Sequence, residues 1–596
     1  MLLSFEGSLL LAAILTPLVL AAGLLSRRYR RWILWLVPFA AMPAVLLAFN
    51  SQPGTRIDLP WILLGMHLGL DATGKTFLQF TSLLWLLAGI FARGYLADDL
   101  RIHRFFAWFL LTMAGNLGLV VALDMTSFYL CFAVMSLSGY GIIVHDRSAE
   151  AFHAGKVYMV LVVLGEVALF SGMALATMAR GSQLFEWGAA ALASDPTLNV
   201  TVGLLLIGFG IKVGIMPLHV WLPLAHPAAP TPASAVLSGV MIKAGLLGWM
   251  RFLPVGEASF PQWGSLCLIV GCLTAIYAAV IGVTQSNAKS VLAYSSISQM
   301  GVLTLGLGAG LLVPEAWPTI MPAMLVYALH HSFSKGCLFL SVGVTASPSD
   351  TRWRSRLLKV ALLIPALAMA GAPMTIGAVA KNQLKYSLDA LPDPWTPFID
   401  FLLPLVAIGT TLLMARFLYL IWPGRSSSAD HGHGPTLGYR SPLAVAAWLT
   451  LMFAVVSAAW MVPGLPTELS ERIQSGGSLL GKTLAWVNLW PVCVGAVIAW
   501  IGWQLSRAAG MPRMPAIPPG DMLGIWLWAA KILGRPMRSL TFRPKQIRAT
   551  LLDRCSRLIH DTSVRECLGR AEASMTRWPW IGLALAILFG ASRFWR

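Results

Sequence analysis

Charge is scarce in this sequence. Only 11% of its 596 residues are Asp, Glu, Lys or Arg, against roughly 25% in soluble domains, which excludes an ordinary water-soluble fold. Acid is scarcer still, with 25 Asp and Glu against 43 Lys and Arg. Cysteine is sparse and irregular: Cys131, Cys267, Cys272, Cys337, Cys493, Cys555 and Cys567 show no CxxC spacing, and most fall in apolar runs, where a thiol acts as a small hydrophobe. That pattern encodes neither an iron–sulfur cluster nor a structural zinc, so no metal or cofactor is expected on the chain. A basic leader and a small-residue cleavage site are missing around the first apolar run, which therefore reads as a retained span. No set of nucleophile, base and orienting group suggests an independent catalyst.

Apolar sequence takes the place of charge, with 57% hydrophobic residues and a mean hydropathy of +0.72. Runs near the ~20 residues that cross a hydrocarbon core recur along the chain, starting with 9–25 and 32–49, and about sixteen such runs predict an all-α polytopic membrane protein. The net charge of +18 does not point to nucleic acid, because the basic residues gather in alternate loops: Arg27, Arg28, Arg30 and Arg31; Arg93, Arg101 and Arg104; Arg147 and Lys156; Arg352, Arg354, Arg356 and Lys359. The intervening loops are neutral or acidic, with Glu186, Asp195, Glu315, Asp389, Asp393, Glu468 and Glu471. This positive-inside pattern predicts a multi-pass protein of a bacterial inner membrane with a periplasmic N-terminus.

Four lysines, Lys212, Lys243, Lys335 and Lys381, interrupt segments otherwise apolar enough to lie in the bilayer. Ionisable groups at such depth are costly and mark ion pathways. Two of them sit in segments that break their own helices. Residues 208–223 read GFGIKVGIMPLHVWLP and carry Pro217; residues 368–384 read AMAGAPMTIGAVAKNQL and carry Pro373. A proline removes a backbone hydrogen bond, tolerable at membrane depth only against protein or a wet cavity. Broken helices at spans seven and twelve are what two inverted five-helix repeats, spans four to eight and nine to thirteen, would give.

Histidines can extend a proton relay between lysines. His330 and His331 are adjacent on one helix and cannot both face Lys335, so His331, one helical turn away, is the expected partner. His219 and His226 lie in a proline-rich re-entry, where a capping role is as open as proton carriage. Glu166, the one carboxylate well inside span six, is the expected partner of Lys212. Asp124, at a span junction, reads as an interfacial cap. His431 and His433 in the polar loop 425–440 read as solvated.

The expected organisation is spans one to three over residues 1–100, the lysine-bearing core over 101–424, two further spans with polar loops over 425–510, a basic segment over 511–576, and a last span over 577–596. Eleven Lys and Arg oppose five Asp and Glu across 511–576, and Ile547, Leu551, Cys555, Leu558 and Ile559 recur at helical spacing, which suits a membrane surface or a neighbouring subunit.

The stretch 208–248, GFGIKVGIMPLHVWLPLAHPAAPTPASAVLSGVMIKAGLLG, resembles the antiporter-like subunits of respiratory complex I, membrane-bound hydrogenases and Mrp cation/proton antiporters. LAYSSISQMG (292–301), HHSFSKGCLFL (330–340) and the GAP segment ending at Lys381 extend the resemblance over roughly 105–422. Its wording is nearest to the large membrane subunit of hydrogenase-4 and formate hydrogenlyase type complexes. The resemblance implies proton translocation, with Lys212, Lys243, Lys335 and Lys381 in the family's lysine positions and Glu166 in an acidic one. One departure stands out: Ala133 occupies the place of the family's helix-five glutamate. The basic segment resembles the lateral helix of long family members in position.

Three functions are therefore set against one another. The first is a proton-translocating membrane subunit of a redox-driven complex, partnered by other membrane subunits and by soluble redox or hydrogenase subunits. The second is an Mrp-type cation/proton antiporter subunit, and the third a membrane coupling subunit of an inorganic-carbon accumulating system.

Overall fold

The computed structural model describes residues 4–60, 62, 65–181, 184–185, 196–345, 352–422, 441–461, 486–508 and 517–524. Two compact units divide the chain, Met1–Asp521 and Met522–Arg596, and of the second only residues 522–524 are described. The loop with His431 and His433, the acids Glu186, Asp195, Glu468 and Glu471, and the basic and terminal segments beyond residue 524 lie outside the described residues.

The chain is a multi-pass helical membrane protein. Among the described residues eleven helices are long and apolar enough to cross a bilayer. The leading spans are α1 (Phe5–Gly23), the pair α2 (Arg30–Leu36) and α3 (Met42–Asn50), and α4 (Ala72–Tyr95). Between α3 and α4 the all-α expectation fails locally: β1 (Arg56–Leu59) and β2 (Met66–Gly69) form an antiparallel hairpin with Arg56 opposite Gly69. Each strand has four residues, too few for a periodic signal to separate them from a loop.

The core continues as α5 (Ile102–Val121), α6 (Met125–Ile143), α7 (Ala149–Arg180), α8 (Leu198–Val213), α9 (Leu222–Ala228), α10 (Thr231–Val236), α11 (Ile242–Phe252), α12 (Pro261–Val283), α13 (Ala288–Leu312), α14 (Trp317–Thr345), α15 (Arg352–Ala370), α16 (Ile376–Leu388) and α17 (Trp395–Ile421); α18 (Pro442–Met461) and α19 (Trp486–Ala508) come after it. Side-chain caps open many of these helices: Asp71 for α4, Asp124 for α6, Ser148 for α7, Asn287 for α13 and Thr375 for α16. Such caps satisfy amides that the bilayer would leave orphaned. Asp124 is thus the expected cap, and it also accepts the His67 amide at 2.8 Å.

Both expected breaks are present. Gly214, at φ +77°, ends α8, and a single 3-10 turn, Leu218–Trp221, leads into α9. The proline-rich re-entry holding His219 and His226 is therefore the second half of the same span. Gly371 (φ +83°) and Met374 (φ +62°) separate α15 from α16.

Burial grades from rim to centre. The spans Thr231–Phe252 and Ala288–Leu312 are each 94% buried, whereas Phe5–Gly23 and Trp395–Ile421 are each 33% buried. Close approach at the centre depends on small residues: a Cβ on Gly271 of α12 would lie 2.8 Å from the Gly301 carbonyl of α13, the kind of crossing that apolar solvent favours between helices.

Candidate functional site: a row of enclosed lysines

Lys212 occupies the last turn of α8, where the chain is about to break, and is 3% exposed. Its ammonium donates to the Tyr158 hydroxyl at 3.3 Å. It also lies 5.8, 5.6 and 5.9 Å from the ring centroids of Phe132, Tyr158 and Trp221, within range of cation–π attraction. The carbonyls released at the break are already taken. Gly210 accepts from the Gly214 and Ile215 amides, and Ile211 accepts from the Trp221 indole at 2.8 Å.

Glu166 faces the same cavity as Lys212. Its volume of about 10 Å³ leaves room for about one water molecule. Both Glu166 oxygens are buried without a hydrogen bond among the described residues, so the two side chains share the cavity without a direct ion pair. Helix α6 presents Phe132 and Ser136 to this space and not Ala133, which leaves Glu166 as its one carboxylate among the described residues.

Lys243 and Lys335 are fully buried. Between α10 and α11 the chain widens into a π turn, Leu237–Met241, and Lys243 donates to the Ser238 carbonyl inside it at 2.7 Å. Such turns shift the backbone register and recur at functional sites. Lys335 on α14 donates to the Leu292 carbonyl at 2.8 Å and to the Ser295 hydroxyl, both on α13. Those bonds, and not the expected one to His331, position Lys335. The ring nitrogens of His331 are buried with no hydrogen bond among the described residues. The i to i+4 bond on α14 is made by the neighbouring histidine, since His330 meets the Ser334 hydroxyl at 3.3 Å.

Lys381 on α16 turns back onto the break and donates to the Met369 and Ala370 carbonyls at 2.9 and 2.8 Å. Gly371 permits the approach, because a Cβ there would lie 2.9 Å from Lys381 Cδ. His330 reaches the same break, its Cε1 sitting 2.9 Å from where a Cβ on Gly377 would be. A cavity of about 80 Å³ is lined by Lys381, Tyr327, Asn382 and Lys385, large enough for several waters. Lys385 in turn pairs with the half-exposed Asp400 at 3.2 Å. Tyr327 continues the polar line by donating to Gln299 at 2.6 Å, and Gln299 donates to Thr410 at 3.1 Å.

The remaining histidines diverge. His226 stacks on Phe339 with centroids 4.6 Å apart, while His219 lies 3.8 Å from Asp521. Asp521 also accepts from Tyr277 and, at 3.1 Å, from Tyr294. Burial alone would raise its pKa, but the nearby His219 imidazole and the hydrogen bonds from the two tyrosines outweigh this and hold the carboxyl below its usual range. Sequence reasoning counted Asp521 only among the acids of a basic segment. Its one local signal is the turn-forming Pro518-Pro519-Gly520 before it. Tyr158 and Ser295 were missed because a hydroxyl in an apolar helix carries no periodic mark. Arg251, 7% exposed, is buried like the lysines but holds the structure instead: it donates to the Leu119, Val120 and Ala122 carbonyls at the end of α5 and to Asp71.

Residues 122–390, which hold all four lysines, match the family described as NADH:quinone oxidoreductase/Mrp antiporter, transmembrane. This segment, a little under half of the chain, carries the transmembrane domain of that antiporter-like family. An uncharacterized protein of Mycobacterium tuberculosis is 28% identical over 432 residues, 68% of this chain and 67% of that protein. Hydrogenase-4 component B of Escherichia coli is 28% identical over 357 residues, 56% of this chain and 53% of that protein. The chain therefore matches about half the length of the hydrogenase-4 component. Among solved structures, an Mrp complex from Dietzia sp. superposes with a TM-score of 0.71 at 21% identity, covering 92% of this chain and 62% of that one, which establishes a shared fold.

Proposed function

We propose that this antiporter-like subunit moves protons along Lys212, Lys243, Lys335 and Lys381. It does so as the membrane arm of a multisubunit redox-driven complex of the hydrogenase-4 or NADH–quinone oxidoreductase type, in a bacterial inner membrane with a periplasmic N-terminus. Electron transfer then belongs to partner subunits, consistent with the name of the hydrogenase-4 relative.

The observation that carries this reading is the choice of partners. Among the described residues none of the four ammonium groups is hydrogen-bonded to a carboxylate; they donate to a hydroxyl or to backbone carbonyls. A carboxylate would hold a lysine charged. A carbonyl accepts from an ammonium and, more weakly, from a neutral amine, which keeps two N–H donors, so both protonation states stay bonded and a proton can leave without orphaning the site.

The test uses the intact complex in sealed proteoliposomes. With the redox donor added, Lys243→Ala is expected to cut proton uptake by more than about tenfold, while electron transfer in the partners continues. Unchanged uptake would remove the lysine row from the mechanism. Proton movement that needs no redox donor and tracks an imposed Na⁺ or K⁺ gradient would assign the chain to Mrp-type exchange; bicarbonate-dependent accumulation would assign it to inorganic-carbon uptake.

A further inference from the structure

A separate cavity of about 200 Å³ opens at one end of the helices, where α5 begins, α6 ends and α7 begins. Arg101, Arg104 and Arg147 line it together with Trp108, Tyr140 and Phe152. Its position at the ends of three membrane spans puts it at the level of the lipid headgroups.

The cations of this cavity are uncommitted. Among the described residues no ion pair engages any of the three guanidinium groups, whereas the nearby Asp99 is already occupied, by His145 at 2.8 Å and by the Arg101 amide at 2.6 Å. Asp98, beside Asp99, and Asp146, beside Arg147, are the other acids of the two loops. Helix α5 starts at this site without a side-chain cap, so the positive end of its dipole adds to the field that attracts an anion. Arg147 holds φ +58°, a left-handed backbone rare and costly for a residue other than glycine.

Below the cations the wall turns aromatic. Trp108 lies one turn deeper on α5 than Arg104 and is 40% exposed; Phe152 on α7 is 48% exposed. The indole rests directly on Gly141 of α6, where a Cβ would come within 2.2 Å of its ring, so glycine at this position seats the ring against the helix. A cationic mouth over an amphipathic aromatic wall reproduces the polarity gradient of a phospholipid, phosphate above and acyl chain below. A soluble anion would use the arginines and have no use for the wall.

We propose that this cavity is a headgroup site for an anionic phospholipid, with its phosphate held by Arg101, Arg104 and Arg147 and an acyl chain descending over Trp108 and Phe152.

The experiment is native mass spectrometry of the full-length protein in its complex, delipidated in mild detergent and titrated with phosphatidylglycerol or phosphatidylcholine. Phosphatidylglycerol should be retained at least about tenfold more strongly, from three basic contacts near the surface. The triple variant Arg101→Gln, Arg104→Gln, Arg147→Gln should bring that ratio close to unity, and Trp108→Ala should weaken retention of both lipids. Arg27→Gln with Arg28→Gln, basic residues outside the cavity, should leave the ratio unchanged. Equal retention of the two lipids by the wild type, or an unchanged ratio in the triple variant, overturns the proposal. Displacement of the lipid by inorganic phosphate would assign the site to a soluble anion, and a photo-crosslink from position 152 to a partner subunit in place of lipid would make the cavity a protein interface.

Discussion

The two broken helices share one closing turn and differ in what reaches the carbonyls beyond it. Each places a lysine beside a break that releases backbone carbonyls in the middle of a membrane. Both breaks close alike on one carbonyl, Gly214 and Ile215 on Gly210 and Gly371 and Ala372 on Leu367; in the first half the Trp221 indole then claims the next carbonyl, that of Ile211. Lys212 is then left to a hydroxyl, three aromatic rings and a nearby carboxylate in a cavity of about 10 Å³. In the second half Lys381 claims the Met369 and Ala370 carbonyls itself, beside a cavity of about 80 Å³. The first lysine sits in a tight aromatic cage and the second in a roomier backbone cradle. The same sequence signal therefore does not specify the same electrostatic environment; the groups that reach the freed carbonyls first decide which one forms.

The largest effects should separate the two lysines. Lys381→Ala leaves two enclosed carbonyls without their donor, at a cost of about 1–3 kcal/mol each, so its unfolding temperature in detergent should fall well below that of Lys212→Ala, which forfeits mainly cation–π contacts of about 1–2 kcal/mol. Both should abolish redox-driven proton uptake. Equal destabilisation would erase the distinction between cage and cradle.

Glu166→Gln tests whether the first half works with one carboxylate. Proton uptake should drop by about tenfold or more while the complex still assembles, as read by pumping and by size-exclusion profile. Pumping at the wild-type rate would take Glu166 out of the pathway.

Trp221→Phe sharpens the comparison by freeing the Ile211 carbonyl. We expect a loss of about 1–3 kcal/mol in stability from the unsatisfied acceptor, together with a changed pH profile of proton uptake as Lys212 gains a carbonyl within reach. A variant with unaltered stability would show that the indole bond does not seal the cage.

The smallest effect concerns Asp521, which has no counterpart at the second break among the described residues. Its pKa is held down by His219, Tyr277 and Tyr294 against the opposing pull of burial. A lowered folded-state pKa gives stability that is complete above the unfolded value near 4 and is lost as pH falls through the lower folded value. The gap in unfolding temperature between wild type and Asp521→Asn should therefore stay level from neutral pH down to about 5 and close below about 4. A gap that closes nearer pH 7 would mean that another group controls it.

Much of this was legible in the sequence because membranes impose a simple grammar: long apolar runs, few charges, and breaks only where something receives the backbone. Lys212, Lys243, Lys335 and Lys381 were visible as violations of that grammar, and so were the breaks near Pro217 and Pro373. What each lysine touches was not. The Lys335 partner Ser295 is 40 residues away in sequence, and Asp521 reaches Tyr277 across 244 residues, distances over which helical periodicity says nothing. The assignment of His331 to Lys335 failed for a related reason. Spacing of one turn puts two residues on the same face, but a neighbouring helix that offers a carbonyl and a hydroxyl competes better than an imidazole held on the same rod.

Arg251 has a mechanical consequence. One guanidinium joins the last carbonyls of α5 to Asp71, the cap of α4, and rides on α11, while Arg180 at the end of α7 donates to Phe252 next to it. Four rods are thus fastened at one end, like the tines of a fork at the handle. Lys243 stands eight residues along α11, roughly 12 Å from that handle, inside a span that is 94% buried. A rotation at the fastening would move the far part of α11 in proportion to its distance from Arg251, so the ammonium of Lys243 sits at the end of a lever arm of roughly 12 Å.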